Sequence, residues 1–175
     1  MALLAVTVIS RDRVGIIADV TGVLAQLGGN LQDSSMTLLH GHFAWTLLVE
    51  AEVGPEEVAS RLRAAGLDGV AVSQVPADTA KGLESPERLI VAVHGEDRIG
   101  IVAAISRVVA DEGGNITELS TRLGQPRGGS GLYLAVAEVE FPRGVNVGRL
   151  QDRLRATCDE LGLDVSVQRD EPELM

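Results

Sequence analysis

A single cysteine, Cys158, excludes any disulfide within the chain. Aromatic residues are also scarce, at 2% of the sequence (Phe43, Trp45, Tyr133 and Phe141). The core must therefore be built from Val, Leu, Ile and Ala, and no stacking platform for unpaired bases is available. Positive charge is in short supply too, with 15 Lys and Arg against 25 Asp and Glu, a net charge of -10. Residues 1–85 carry 5 basic and 10 acidic side chains and residues 86–175 carry 10 and 15, so each half stands at -5. No basic lobe is hidden, and a surface of this sign repels phosphate backbones, so direct nucleic-acid binding is not expected. No stretch approaches the roughly 18 apolar residues of a membrane span. The N-terminus MALLAVTVISRDR lacks the basic start and long apolar run of a signal peptide. These absences predict a soluble, cytoplasmic protein.

Against these shortages, hydrophobic residues make up 45% and charged residues 23%, close to the globular average, so a packed core is expected. A length of 175 residues fits one ordinary domain or two small ones. An internal repeat decides between them. Residues 11–17 read RDRVGII and residues 96–102 read EDRIGIV, while Gly28-Gly29-Asn30 returns as Gly113-Gly114-Asn115, all at an offset of 85. Two separate motifs held at one spacing mark a duplication. Residues 1–75 form the first module and residues 88–170 the second. Between them residues 76–87 (PADTAKGLESPE), polar and broken by Pro and Gly, read as a linker.

The first half opens with an apolar, partly β-branched run from Leu3 to Ile9, a buried-strand pattern. Apolar residues at 14, 16, 17, 20, 23, 24 and 27 make one helical stripe, and Gly28-Gly29 suits a helix stop. Leu31–Leu39 and Phe43–Val53 read as strands joined near His40-Gly41-His42, Pro55 opens a second helix, and Val70–Val75 alternates as a last strand. The second half repeats the order: strand 89–93, helix 100–112, strands 116–124 and 132–141, helix 147–161 and strand 163–167. Leu62 matches Leu154 at an offset of 92, which predicts about seven added residues in the turn Gln125–Gly131. Leu27 corresponds to Glu112, so the end of the helix there is predicted to be solvated. The fold class is α+β: two ferredoxin-like βαββαβ modules in tandem, each an antiparallel four-stranded sheet with two helices on one face. Such sheets leave edges and a face to cover, so the modules are expected to pair with each other or with a second chain, giving a homodimer.

Few residues carry chemistry. Gly95 and Gly100 have P-loop spacing, but Ile101-Val102 stand where Lys and Ser or Thr are needed to hold phosphate and magnesium. Gly15 and Gly100 allow two readings. They let a ligand carboxylate approach backbone N–H groups at a helix start, or they shape a tight turn with Asp12 and Asp97 as local caps. Asn30 and Asn115 likewise either serve the turn or offer an amide to an amino acid's ammonium and carboxylate. His40-x-His42 lacks a third metal ligand and reads as a solvated hairpin, and Cys158 lies on an apolar helix stripe with Leu150, Leu154 and Leu161. No Gly-x-Ser-x-Gly elbow and no catalytic pair stands out. No enzyme activity, metal or cofactor is expected.

The pairing of Asp-Arg-x-Gly-Ile-Ile/Val with Gly-Gly-Asn inside a βαββαβ unit resembles the ACT domain, twice over nearly the whole chain. Two such domains and little else are similar to the glycine cleavage system transcriptional repressor family. The resemblance implies a regulatory protein that binds a small amino acid, such as glycine or serine, and acts through a protein partner, in transcriptional control of amino-acid metabolism. It implies a site at Asp12, Arg13, Gly15, Ile16 and Asn30 in the first half and Asp97, Arg98, Gly100, Ile101 and Asn115 in the second. The loop of one module would meet the helix-to-strand corner of its neighbour. A ligand-free interaction scaffold, or the regulatory subunit of an amino-acid metabolic enzyme, is the alternative.

Overall fold

The computed structural model describes residues 1–76, 86–124 and 131–170. The chain divides into two compact units. In the first, β1 (Ala2–Arg11), α1 (Ile16–Gln26), β2 (Asn30–Leu39), β3 (His42–Ala51), α2 (Pro55–Ala64) and β4 (Gly69–Gln74) follow one another. The second repeats them as β5 (Glu87–Glu96), α3 (Ile101–Asp111), β6 (Asn115–Leu123), β7 (Leu132–Phe141), α4 (Val147–Leu161) and β8 (Leu163–Arg169). Both sheets are antiparallel, with strand orders β2-β3-β1-β4 and β6-β7-β5-β8. β5 begins at Glu87, inside the stretch read as linker, and the rest of that stretch lies almost wholly outside the described residues.

Strand alternation supplies each core. Leu4, Val6 and Val8 of β1 and Phe43, Trp45, Leu47, Val49 and Ala51 of β3 turn inward, with Ile16, Val20 and Leu24 of α1 and Val58, Ala59 and Leu62 of α2 above them. Leu89, Val91, Val93, Ile105, Val109, Phe141, Leu150, Leu154 and Cys158 do the same in the second module. The Gly-Gly pairs close α1 and α3 as Schellman caps. Gly28 and Gly113 hold φ of 69° and 78°, and the bonds run from Gly28 N–H to Ala25 O, Gly29 N–H to Leu24 O, and equivalently from Gly113 and Gly114 to Ala110 and Val109.

Four expectations need correction. Val14 is not on the α1 stripe: the helix begins at Ile16, after Gly15 in the left-handed region, and Val14 is fully exposed. Asp12 and Asp97 do not cap the helices, whose N-cap positions are Gly15 and Gly100 with no side-chain cap. Glu112 is not solvated, because Arg153 Nη1 at 2.7 Å and Arg149 Nε at 3.2 Å from α4 enclose its carboxylate and leave the side chain 9% exposed. The charge at 112 is tolerated because two guanidiniums replace its lost water. The added residues are also spread out. Phe43 pairs with Ser10 and Tyr133 with Gly95, an offset of 90 between β3 and β7, and the further two enter between β7 and α4. The hairpin tip itself, residues 125–130, lies outside the described residues.

Cys158 is fully buried beneath α4. Burial, with smaller contributions from Asp159 and Asp164, pushes its thiol up to about 11. The nucleophilic thiolate is therefore scarce at neutral pH. A thiol reagent is expected to leave the native chain unmodified at pH 7 and to label one equivalent in urea; rapid native labelling would place Cys158 outside the core. Because the folded state holds the thiol proton more tightly than the unfolded chain, Cys158 disfavours the fold as pH rises above the ordinary thiol range toward 11.

Candidate functional site

In each module the chain leaves the first strand and is tied to the neighbouring hairpin before the helix starts. Asp12 N–H donates to Gly41 O at 3.0 Å, and Asp97 N–H to Gly131 O at 3.3 Å. Gly15 and Gly100 then turn with φ of 87° and 96°, and a Cβ added at either would meet nothing within 4 Å. The glycine is thus required by the backbone, while the space above it stays open. The first intrahelical bonds arrive only at Asp19 and Ala104, so the amides of Ile16, Ile17 and Ala18, and of their counterparts in α3, have no intrahelical partner. No side chain caps them. Such amides, at the positive end of the helix dipole, favour an anion.

In the first module this helix start opens on a concavity of about 500 Å³ lined by Asp12, Arg13, Gly15, Ile16, Ile17, Ala18, Met36, Leu38 and Phe43. Four of the residues expected from sequence, Asp12, Arg13, Gly15 and Ile16, are therefore together. Arg13 leans on α1, its guanidinium 2.6 Å from Asp19. Met36 and Leu38 join them, although nothing in the sequence marks them. They lie on the helix-facing side of β2, which the helices leave uncovered, so both remain about half exposed.

The second module keeps the loop and changes its surroundings. Arg98 bonds Glu96 at 3.4 Å. Tyr133 takes the place of Phe43, and Thr121 that of Met36. Partial burial, reinforced by the Asp97 carboxylate and opposed by a hydrogen bond with Thr121, raises the Tyr133 pKa above its ordinary value, so the hydroxyl stays neutral. A polar wall thus stands in the second module where the first has an apolar one. Val14 and Ile99, in the same position of the two loops, are both fully exposed.

Asn30 and Asn115 do not join these residues within a module. Asn30 pairs with Glu50 at one end of β2, whereas the loop lies level with Leu39 and His42 at the other. Nine strand residues separate the ends by about 30 Å. Asn115, opposite Glu140, repeats the arrangement. His40 sits in the hairpin turn with φ of 49°, and among the described residues no group of His, Cys, Asp and Glu could hold a metal ion. No helix is long and apolar enough to cross a membrane among the described residues.

The sequence model described as ACT domain matches residues 2–68 and 87–168. A UPF0237 protein of Methanopyrus kandleri is 36% identical over 84 residues, 48% of this chain and 89% of that protein. A solved protein of unknown function from Galdieria sulphuraria is similar over 97% of this chain and 99% of its own, with 31% identity and a TM-score of 0.79. The structure of a candidate glycine cleavage system transcriptional repressor covers 97% and 98% of the two chains with a TM-score of 0.65, and at 19% identity it attests the shared fold.

Proposed function

The chain belongs to the ACT domain family, and from that premise we propose that it is a regulatory protein, not an enzyme, which senses a small amino acid and passes the result to a protein partner. The observation that carries this reading is the repeated, uncapped helix start: two modules each present unpaired amides beside an exposed Asp-Arg-x-Gly loop. The amides suit an α-carboxylate, and Asp12 or Asp97 suits the ammonium.

The missing half of the site is an asparagine from another module. β2 and β6 are both edge strands. Two such edges joined antiparallel would set the Asn30 or Asn115 end of one beside the loop of the other. A homodimer supplies the partners. Binding can then shift the assembly by the difference in ligand affinity between its paired and unpaired states. With a net charge of -10, control of transcription would run through the protein partner and not through direct contact with DNA.

The walls distinguish ligands. Met36, Leu38 and Phe43 suit an apolar side chain, while Tyr133 and Thr121 suit a hydroxyl-bearing one such as serine. A thermal-shift screen of the standard amino acids tests the reading. One at 100 times its Kd should add about 2.7 kcal/mol of stability. No shift from any amino acid at millimolar concentration would favour the ligand-free scaffold.

A further inference from the structure

We propose that the open face of the first module's sheet, the side turned away from α1 and α2, is a docking surface for a second copy of this chain, packed sheet to sheet with strands antiparallel. The two modules act as internal controls for each other. Both have one sheet face under helices and one without, yet the open faces differ in charge. At five matched positions the first module has Leu3, Ile9, Thr37, Leu48 and Gly69, where the second has Arg88, His94, Arg122, Glu138 and Asp164. The second face carries ions that pair across the surface, Arg88 with Glu140 at 3.1 Å and His94 with Asp164 at 3.6 Å, beside the exposed Leu132 and Leu134. The central row is uncharged in both modules, Ala92, Val136, Ser120 and Ser166 in the second and Thr7, Thr46, Ser35 and Ala71 in the first, and what marks the first face is the scarcity of ions around that row. Ile9 and Leu39, exposed by 54% and 58%, lie toward its hairpin end. An uncharged patch across adjacent strands can meet a second sheet without stripping water from ions.

Charge at the ends names the occupant and its direction. Arg11 stands at the hairpin end, level with His42, while Asp33 and Glu50 stand toward the other. Two copies stacked antiparallel about the Thr46 row would set each Arg11 over the partner's acidic end. Parallel stacking would oppose like charges. The charged face of the second module is a poor alternative, because covering it would strip water from its ions. Area is sufficient: a four-stranded face about 19 Å wide and 30 Å long covers on the order of 600 Å² per copy, about 1,200 Å² in all. The strand edges stay free for the lateral pairing above, so this inference stands apart from the ligand reading.

Sedimentation velocity of the full chain at micromolar concentration tests it, with folding checked by circular dichroism. Thr46→Arg, at the centre of the face, should halve the mass of the assembly by raising its dissociation constant about 100-fold or more, since an unpaired charge would be buried. Val136→Arg, at the same position of the second module, should leave the mass unchanged. Arg11→Glu should weaken association, and adding Glu50→Arg should restore it. A monomeric parent, a folded Thr46→Arg chain of parental mass, an equal loss from Val136→Arg, or no rescue by the charge exchange would overturn the proposal.

Discussion

Gly114→Ala is expected to destabilise the second module by about 3 kcal/mol, the upper end of ordinary overpacking. Its added Cβ would stand 2.4 and 2.6 Å from two Phe141 ring atoms and 2.8 Å from Val109 Cγ1. None of these can withdraw cheaply, because Phe141 is fully buried and Val109 nearly so. Gly29→Ala at the matching position meets Leu24 O and Val49 Cγ1 at 3.0 Å and should cost less. Trimming the ring with Phe141→Leu should relieve part of the Gly114→Ala penalty, so the double variant would be more stable than the sum of the single losses implies. Urea unfolding is the check. Circular dichroism follows the whole chain, while emission from Trp45, the one tryptophan, reports the first module. Additive losses would mean that the ring is not what Gly114 makes room for.

Replacing both Gly15 and Gly100 by Val is expected to weaken amino-acid binding by about 5- to 150-fold, the equivalent of about 1 to 3 kcal/mol. Valine at φ of 87° or 96° must either strain or move the loop. Its branched side chain would also occupy the open space through which a carboxylate reaches the amides of the first turn. Gly→Ala at the same positions separates these causes, since alanine shares much of the strain but adds little bulk. The expected order of affinity is parent, then Ala, then Val, with melting temperatures falling less steeply than binding. Parental affinity in a folded Val double variant would remove the helix start from the site.

Much of the fold was legible because the repeat repeats its backbone demands. Gly28 and Gly113 end helices in the left-handed region, and Gly29 and Gly114 let the chain pass close to the helix just ended and to β3 or β7, so one spacing of 85 marked the same cap twice. Of the candidate site, only the loop was legible. Met36 and Leu38 alternate as any strand residues do, and only the placement of the helices leaves their face uncovered. Glu112 looked solvated because its shelter comes from Arg149 and Arg153, which are remote in sequence. Val14 was misread by its period. A helical stripe can be extended backward on paper, but the left-handed turn at Gly15 stops it in space. The difference between the two open sheet faces was hidden for another reason: it emerges only when registers, not offsets, align the strands.

The central claim is that an amino acid binds where the loop of one module meets the asparagine of another, and titration calorimetry of the Asn30→Ala, Asn115→Ala double variant tests it most directly. Both asparagines are exposed at strand starts, so the variant should fold. Each lies about 30 Å from its own module's loop, so a site contained within one module would not feel the change. The account predicts saturable binding to the parent chain and a loss of about 10-fold or more in the variant. Binding of equal affinity to parent and folded variant would contradict it.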